Sequence, residues 1–228
     1  MYIVFMNRLY QNTINQSCSF EGVALHSGEH SKITLHPAPA NTGIKFKRID
    51  SNLPIDQTLI DANIKNIKAS RLCTTIGNDH GLTISTIEHL MAALHALGVD
   101  NLLIDINSSE MPILDGSSIL FSNRINDIGL KQLKAKRVYL KILKSIEVKR
   151  GNAFVKIKPN DQLSIDYTIN YPETIVGKQN FGIRSINQSS FTSLLSYCRT
   201  FAFENQLDEL KANGIIKGGS LENAVVFG

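Results

Sequence analysis

Residues 84–98 read ISTIEHLMAALHALG, and their spacing organises the chain around one helix. Wound at about 100° per residue, Ile84, Ile87, Leu90, Met91, Leu94 and Leu97 share one half of the helical wheel and predict a buried face. Ser85, Glu88, His89, Ala92 and Ala96 occupy the other half, where small alanines leave room for something to approach the adjacent carboxylate and imidazole. Two readings of that pair are open. Ser85 and Glu88 form S-x-x-E, the capping box in which each side chain satisfies an unpaired backbone N–H at the helix start, with His89 a polar-face residue. Alternatively, a neutral His89 imidazole binds zinc and Glu88 takes a proton from the zinc-bound water. The pattern is not H-E-x-x-H, because Ala93 stands one turn after His89 and His95 falls about 240° further round the helix. Further ligands have to come from distant parts of the chain.

The 228 residues, 43% hydrophobic and 19% charged, have the composition of a soluble globular protein. A net charge of +4 suits an anionic substrate but lacks the dense basic face of a nucleic-acid binder. Cys18, Cys73 and Cys198 lie far apart with no C-x-x-C, which predicts free thiols in a reducing compartment and hence a cytoplasmic protein. The opening MYIVF is too short for a signal-peptide core and has no basic region before it; Met6 is readable as an alternative start. No apolar run approaches membrane-spanning length.

Outward from the helix, the texture alternates. SKITL (31–35) and IKFKR (44–48) read as strands with turn material at 38–43 between them, and GVALHSGE (22–29) places His26 beside a turn. SRLCTTIG (70–77) lies in an irregular, short-stranded segment. NLLIDI (101–106) reads as a buried strand, and MPILDGSS (111–118) offers Asp115 or Ser117 as N-cap of a helix running to about Ile128. An α+β unit closes near Gly129. Residues 131–136 are lysine-rich and read as a linker. A second run of strands follows, VYLKIL, SIEVKR, AFVKIKP and LSIDYTINY, then a helix over about 190–197. RTFAF, ENQLDELKANG and GGSLENAVVF read as strand, amphipathic helix stopped by Gly214, and strand. The basic stretch 131–150 interleaves its charges with apolar residues, which describes a solvated sheet face and not a nucleic-acid patch.

GVALHSGE, HPAPANTGIKFKR, SRLCTTIG, ISTIEHLMAALHALGVDN, MPILDGSS, SYCRTFAF and GGSLENAVVF, in this order and at these spacings, resemble the UDP-3-O-acyl-N-acetylglucosamine deacetylase family of lipid A biosynthesis. The resemblance extends from Arg8 to Phe227. It implies an α+β fold of two domains, 1–130 and 131–228, each a sheet backed by helices, the second incomplete and ending after a strand–helix–strand insert. It implies a monomer hydrolysing the N-acetyl group of UDP-3-O-acyl-N-acetylglucosamine, with Zn2+ as cofactor. Residue by residue, it implies His89 as zinc ligand, Glu88 as general base and Thr200 as oxyanion donor. Leu72, Cys73, Phe201, Gly219 and Ser220 fall where the family lines the passage for sugar and acyl chain. The family's remaining zinc ligands are a histidine and, one turn later, an aspartate, with a general-acid histidine further on, all beyond the strand matched by GGSLENAVVF. The histidines here are His26, His30, His36, His80, His89 and His95. The expectation is therefore a C-terminally truncated deacetylase with one zinc ligand, inactive alone. The alternative is a non-catalytic homologue retaining a binding or interaction surface.

Overall fold

The computed structural model describes residues 9–228, so the readings of MYIVF and Met6 lie outside the described residues. In chain order the strands and helices are β1 (Tyr10–Ile14), β2 (Cys18–Val23), β3 (His30–Pro37), β4 (Ile44–Arg48), β5 (Leu59–Asp61), β6 (Ile67–Ala69), β7 (Thr75–Gly77), β8 (Thr83–Ile84), α1 (Glu88–Leu97), β9 (Leu102–Ile106) and α2 (Ile119–Ile128). They continue with β10 (Leu130–Lys136), β11 (Ile146–Arg150), β12 (Ala153–Ile157), β13 (Ile165–Tyr171), β14 (Gly177–Ile183), α3 (Gln188–Leu194), β15 (Phe201–Phe203), α4 (Glu204–Ala212) and β16 (Val225–Phe227). The fold is α+β, as expected.

Alternation does make strands of 31–35 and 44–48, but the turn between them closes no hairpin. The main sheet runs β2-β3-β9-β4-β5, with β9 inserted antiparallel to β3 and parallel to β4. The reason lies in β9 itself: Leu102, Ile104 and Ile106 are fully buried, and a central place gives them apolar neighbours on both sides. Ile104 accordingly pairs with Leu35 on one flank and Phe46 on the other. Leu90, Leu94 and Leu97 of α1 join Phe121 and Ile125 of α2 in the same core. Because α2 packs beside α1, the helix buries more than the half its apolar residues predict: Ala93 and Ala96 are buried, while Ala92 and His95 face solvent.

The capping-box reading fails. Ile84 ends β8, α1 starts at Glu88, and no side chain caps it. Ser85 is claimed instead by the segment before α2. Its N–H donates to Ser109 O, its carbonyl accepts from Met111 N, and its hydroxyl donates to Ser109 O. A long-range bridge has taken the groups a local cap would use.

Residues 131–136 are not a linker either: they lie in β10, antiparallel to β1. Leu133 and Ala135 are half-buried while Lys131, Lys134 and Lys136 face solvent, a strand pattern diluted by its charge. Further on, SIEVKR and AFVKIKP form the hairpin β11–β12, and LSIDYTINY pairs with β14, a strand the sequence reading missed. VYLKIL forms no strand, and its Val138 and Leu140 are 95% and 91% exposed. α3 begins earlier than expected because Asn187 and Ser190 make a capping box. β15, α4 and β16 give the expected strand–helix–strand with parallel pairing, although only 225–227 of GGSLENAVVF is extended. Apolar residues of the hairpins, including Val148, Phe154, Val155, Tyr167 and Phe181, are exposed.

Candidate active site

Glu88 opens α1, and its Oε2 accepts a hydrogen bond of 2.9 Å from the backbone N–H of Thr74. His89 follows, half-buried. Burial holds its imidazole below the ordinary value, against the nearby carboxylates of Glu88 and Asp115, which pull it up; the ring is therefore neutral and available as a base or ligand. The His89 carbonyl accepts from Ser118 Oγ at 2.9 Å, which ties the start of α2 to the first turn of α1. Asp115 does not cap α2. Its carboxylate accepts from the N–H and hydroxyl of Ser117, whose Oγ in turn accepts from Ile119 N at 3.2 Å.

Beside this helix start is a cleft of about 230 Å³ lined by His26, Arg71, Leu72, Cys73, Thr75, Ser85 and Ile215. A shallower groove between α2 and α3, at Asn126, Gln188 and Thr192, has no ionisable lining. In the cleft, both ring nitrogens of His26 are inaccessible and without a hydrogen-bond partner. The Cys73 thiol lies beside the ring, and the two act on one another electrostatically without reaching ordinary hydrogen-bond geometry. Cys73 raises the His26 pKa foremost, Glu110 and Glu88 add to that, and burial opposes. Reciprocally, His26 lowers the Cys73 pKa against its burial, with help from the Thr75 hydroxyl at 3.8 Å from the sulfur.

The sequence reading did not single out Glu110, which is 3% exposed. Its Oε1 accepts from His26 N at 2.8 Å and from Thr86 Oγ1 at 3.0 Å, and its Oε2 accepts from Ser27 N at 2.8 Å. The available signal was a lone carboxylate inside SSEMPIL, just before a buried run.

The remaining expected site residues divide. Leu72 and Cys73 line the cleft with His26, and Glu88 adjoins it through Thr74. Thr200 is tied to the Asp115 turn: its N–H donates to Gly116 O at 2.8 Å, while Arg199 Nε donates to Asp115 O at 2.7 Å. Gly116, at φ +80, must be glycine because a Cβ there would come 1.9 Å from Asn223 O. Phe201 lies apart from the cleft in an aromatic cluster with Tyr171, Phe203 and Phe227. Gly219 packs near Ile216 and Leu25, and the N–H of Ser220 is turned to Asn223 Oδ1. Their segment does reach the cleft, since Gly218 N donates to Leu25 O and Lys217 N to His26 O.

Zinc in a catalytic site takes three protein ligands. Among the described residues no group of three or more His, Cys, Asp or Glu side chains gathers in a way that could hold a metal, so the residues present do not fit that group.

The family model described as UDP-3-O-acyl N-acetylglycosamine deacetylase matches residues 11–228. A UDP-3-O-acyl-N-acetylglucosamine deacetylase of Pseudoalteromonas atlantica is 38% identical over 218 residues, 95% of this chain and 71% of that protein. The proteins of the same name from Colwellia psychrerythraea and Wigglesworthia glossinidia brevipalpis are each 37% identical; the matches cover 70% and 73% of their lengths.

Proposed function

Since the chain belongs to the UDP-3-O-acyl N-acetylglycosamine deacetylase family, we propose that it is a deacetylase polypeptide acting on the N-acetyl group of UDP-3-O-acyl-N-acetylglucosamine in lipid A biosynthesis, with Glu88 as proton acceptor. The supporting observation is the Glu88 carboxylate fixed by Thr74 N–H at the head of α1, adjoining the cleft of His26, Leu72 and Cys73. In the reaction water adds to the acetamide carbonyl and its proton passes to Glu88. The C–N bond then breaks as the nitrogen takes up the proton held on Glu88, releasing acetate and the free amine. Thr200 is the donor to the oxyanion in this reading, and Leu72, Cys73, Phe201, Gly219 and Ser220 border the passage for sugar and acyl chain.

His89 is the single residue here assigned to zinc. One imidazole without chelating partners exchanges its metal readily, so the 228-residue polypeptide by itself holds zinc weakly and does not turn over. The proposed division puts Glu88 and His89 in the domain 1–130 and Thr200 in the domain 131–228, with β10 pairing back to β1. No helix among the described residues is long and apolar enough to cross a membrane, and the proposed setting is a cytoplasmic monomer. The absence of a three-ligand cluster among the described residues favours one second reading, a non-catalytic chain that keeps a binding surface.

Calorimetric titration with UDP-3-O-acyl-N-acetylglucosamine, followed by an acetate assay with added zinc, tests the proposal. Binding without acetate release is the expected result. Sustained release contradicts the inactivity, and no binding at millimolar substrate contradicts the passage residues. Weak zinc binding that disappears in His89→Ala favours the first reading, and no zinc binding at all favours the second.

A further inference from the structure

We propose that Glu110 is the positioning residue of the cleft: its buried carboxylate gathers the turn of His26 and Ser27 and the bend at Thr86, and so sets the His26 ring against Cys73. A carboxylate 3% exposed is costly to bury, and no salt bridge to a cation compensates this one among the described residues. What holds it there is the convergence of three donors from two distant segments, His26 N, Ser27 N and Thr86 Oγ1, at 2.8, 2.8 and 3.0 Å. Both segments need such an anchor. Thr86 is a β-branched residue at φ +59, a left-handed conformation that persists only where its surroundings over-determine it. Its neighbour Ser85 is bridged to Ser109 and Met111, either side of Glu110, so the bend is pinned by one short stretch of chain. Two residues after Thr86 stands Glu88.

On the other side, the carbonyls of Leu25 and His26 accept from Gly218 N and Lys217 N, which leaves the turn gripped between Glu110 and the 217–218 backbone. Cys73, Glu88 and Glu110 act electrostatically on the His26 ring, and Arg71 lines the same cleft. No hydrogen bond fixes the ring nitrogens, so where the ring meets Cys73 depends on the backbone of the turn, and that backbone is held by Glu110. The use of the cleft by substrate rests on the function proposed above. The positioning does not, and its test uses protein without metal or substrate, so the two can fail separately.

The test is the rate at which iodoacetamide alkylates Cys73 at pH 7, read peptide by peptide, with exposed Cys198 as internal reference. Glu110→Gln presents an N–H where an acceptor is needed, and Cys73 alkylation is expected to slow by about fivefold relative to Cys198, matching His26→Asn. The double variant is expected to lose no more than either single one. A Glu110→Gln protein with a lowered melting temperature but a Cys73 rate within about twofold of the starting protein would show a purely structural carboxylate and overturn the proposal. Should Glu110→Gln fail to fold, Thr86→Val decides. It keeps the β-branch and removes one donor, and its Cys73 rate is expected to fall by about twofold or more, an unchanged or faster rate overturning the proposal.

Discussion

Replacing Gly116 by alanine probes how the Thr200 segment is seated on the Asp115 turn. Gly116 has φ +80, and an added Cβ would stand 1.9 Å from the Asn223 carbonyl oxygen, 2.8 Å from its carbon and 3.3 Å from Thr200 Cγ2. The backbone conformation alone costs roughly 1 kcal/mol for alanine. The contact adds more, because a carbonyl oxygen cannot rotate away as a flexible side chain would. The approach of 200–225 to the turn has to open by roughly 1 Å or more, an overpacking cost of about 1–3 kcal/mol. Opening also lengthens the 2.8 Å bond from Thr200 N to Gly116 O. The expected loss is therefore about 2–4 kcal/mol, measured by urea denaturation followed by circular dichroism. Gly43 supplies the control: φ +71, with nothing within 4 Å of its added Cβ. Gly43→Ala should lose only the conformational part, about 1 kcal/mol. Equal losses in the two variants would refute the close seating of Thr200 on the Asp115 turn.

The Cys73 thiol, lowered by His26, should alkylate with a half-rise below the ordinary thiol pKa of about 8.5, and His26→Asn should move that half-rise back up; an unshifted profile would contradict the pairing. The Arg48 guanidinium holds the Asp50 carboxyl below its usual range, so the pair's stabilisation is complete above the unfolded value of about 3.9 and is lost as pH falls through the folded one. Asp50→Asn should accordingly cost no more than about 1 kcal/mol at pH 7 and nothing in strong acid, compared by denaturation at the two pH values. Ile104→Ala, at the fully buried centre of β9, should destabilise by about 2–5 kcal/mol in urea titration, and a loss typical of a surface site would contradict the central placement of that strand. Ser118→Ala removes the bond to His89 O and should cost about 1 kcal/mol in the same titration.

Periodicity made the strands at 31–35 and 44–48 legible, because each alternates an apolar face with a polar one, and 101–106 was legible as a short apolar run. Their order was not legible: β9 lies between β3 and β4 through pairings that no local pattern encodes. The same gap explains Ser85, whose S-x-x-E spacing fits a cap but whose backbone is taken by Ser109 and Met111. Lysines hid β10 by diluting the inward alternation of Leu133 and Ala135, and the apolar VYLKIL suggested a strand but forms none. Of the residues that the resemblance implied, the fold gathers Leu72, Cys73 and Glu88 about one cleft, whereas Phe201 packs in an aromatic cluster outside it. Glu110 was invisible for a physical reason: its donors lie 84, 83 and 24 residues earlier in the chain.

The proposed site presents a base, Glu88, and a single metal-binding imidazole, His89. Equilibrium dialysis of the purified 228-residue polypeptide against zinc, followed by metal analysis after a chelating resin, tests it most directly. Zinc should be stripped completely, with well under one ion per chain left behind. One ion per chain surviving the resin, and lost in His89→Ala, would contradict it.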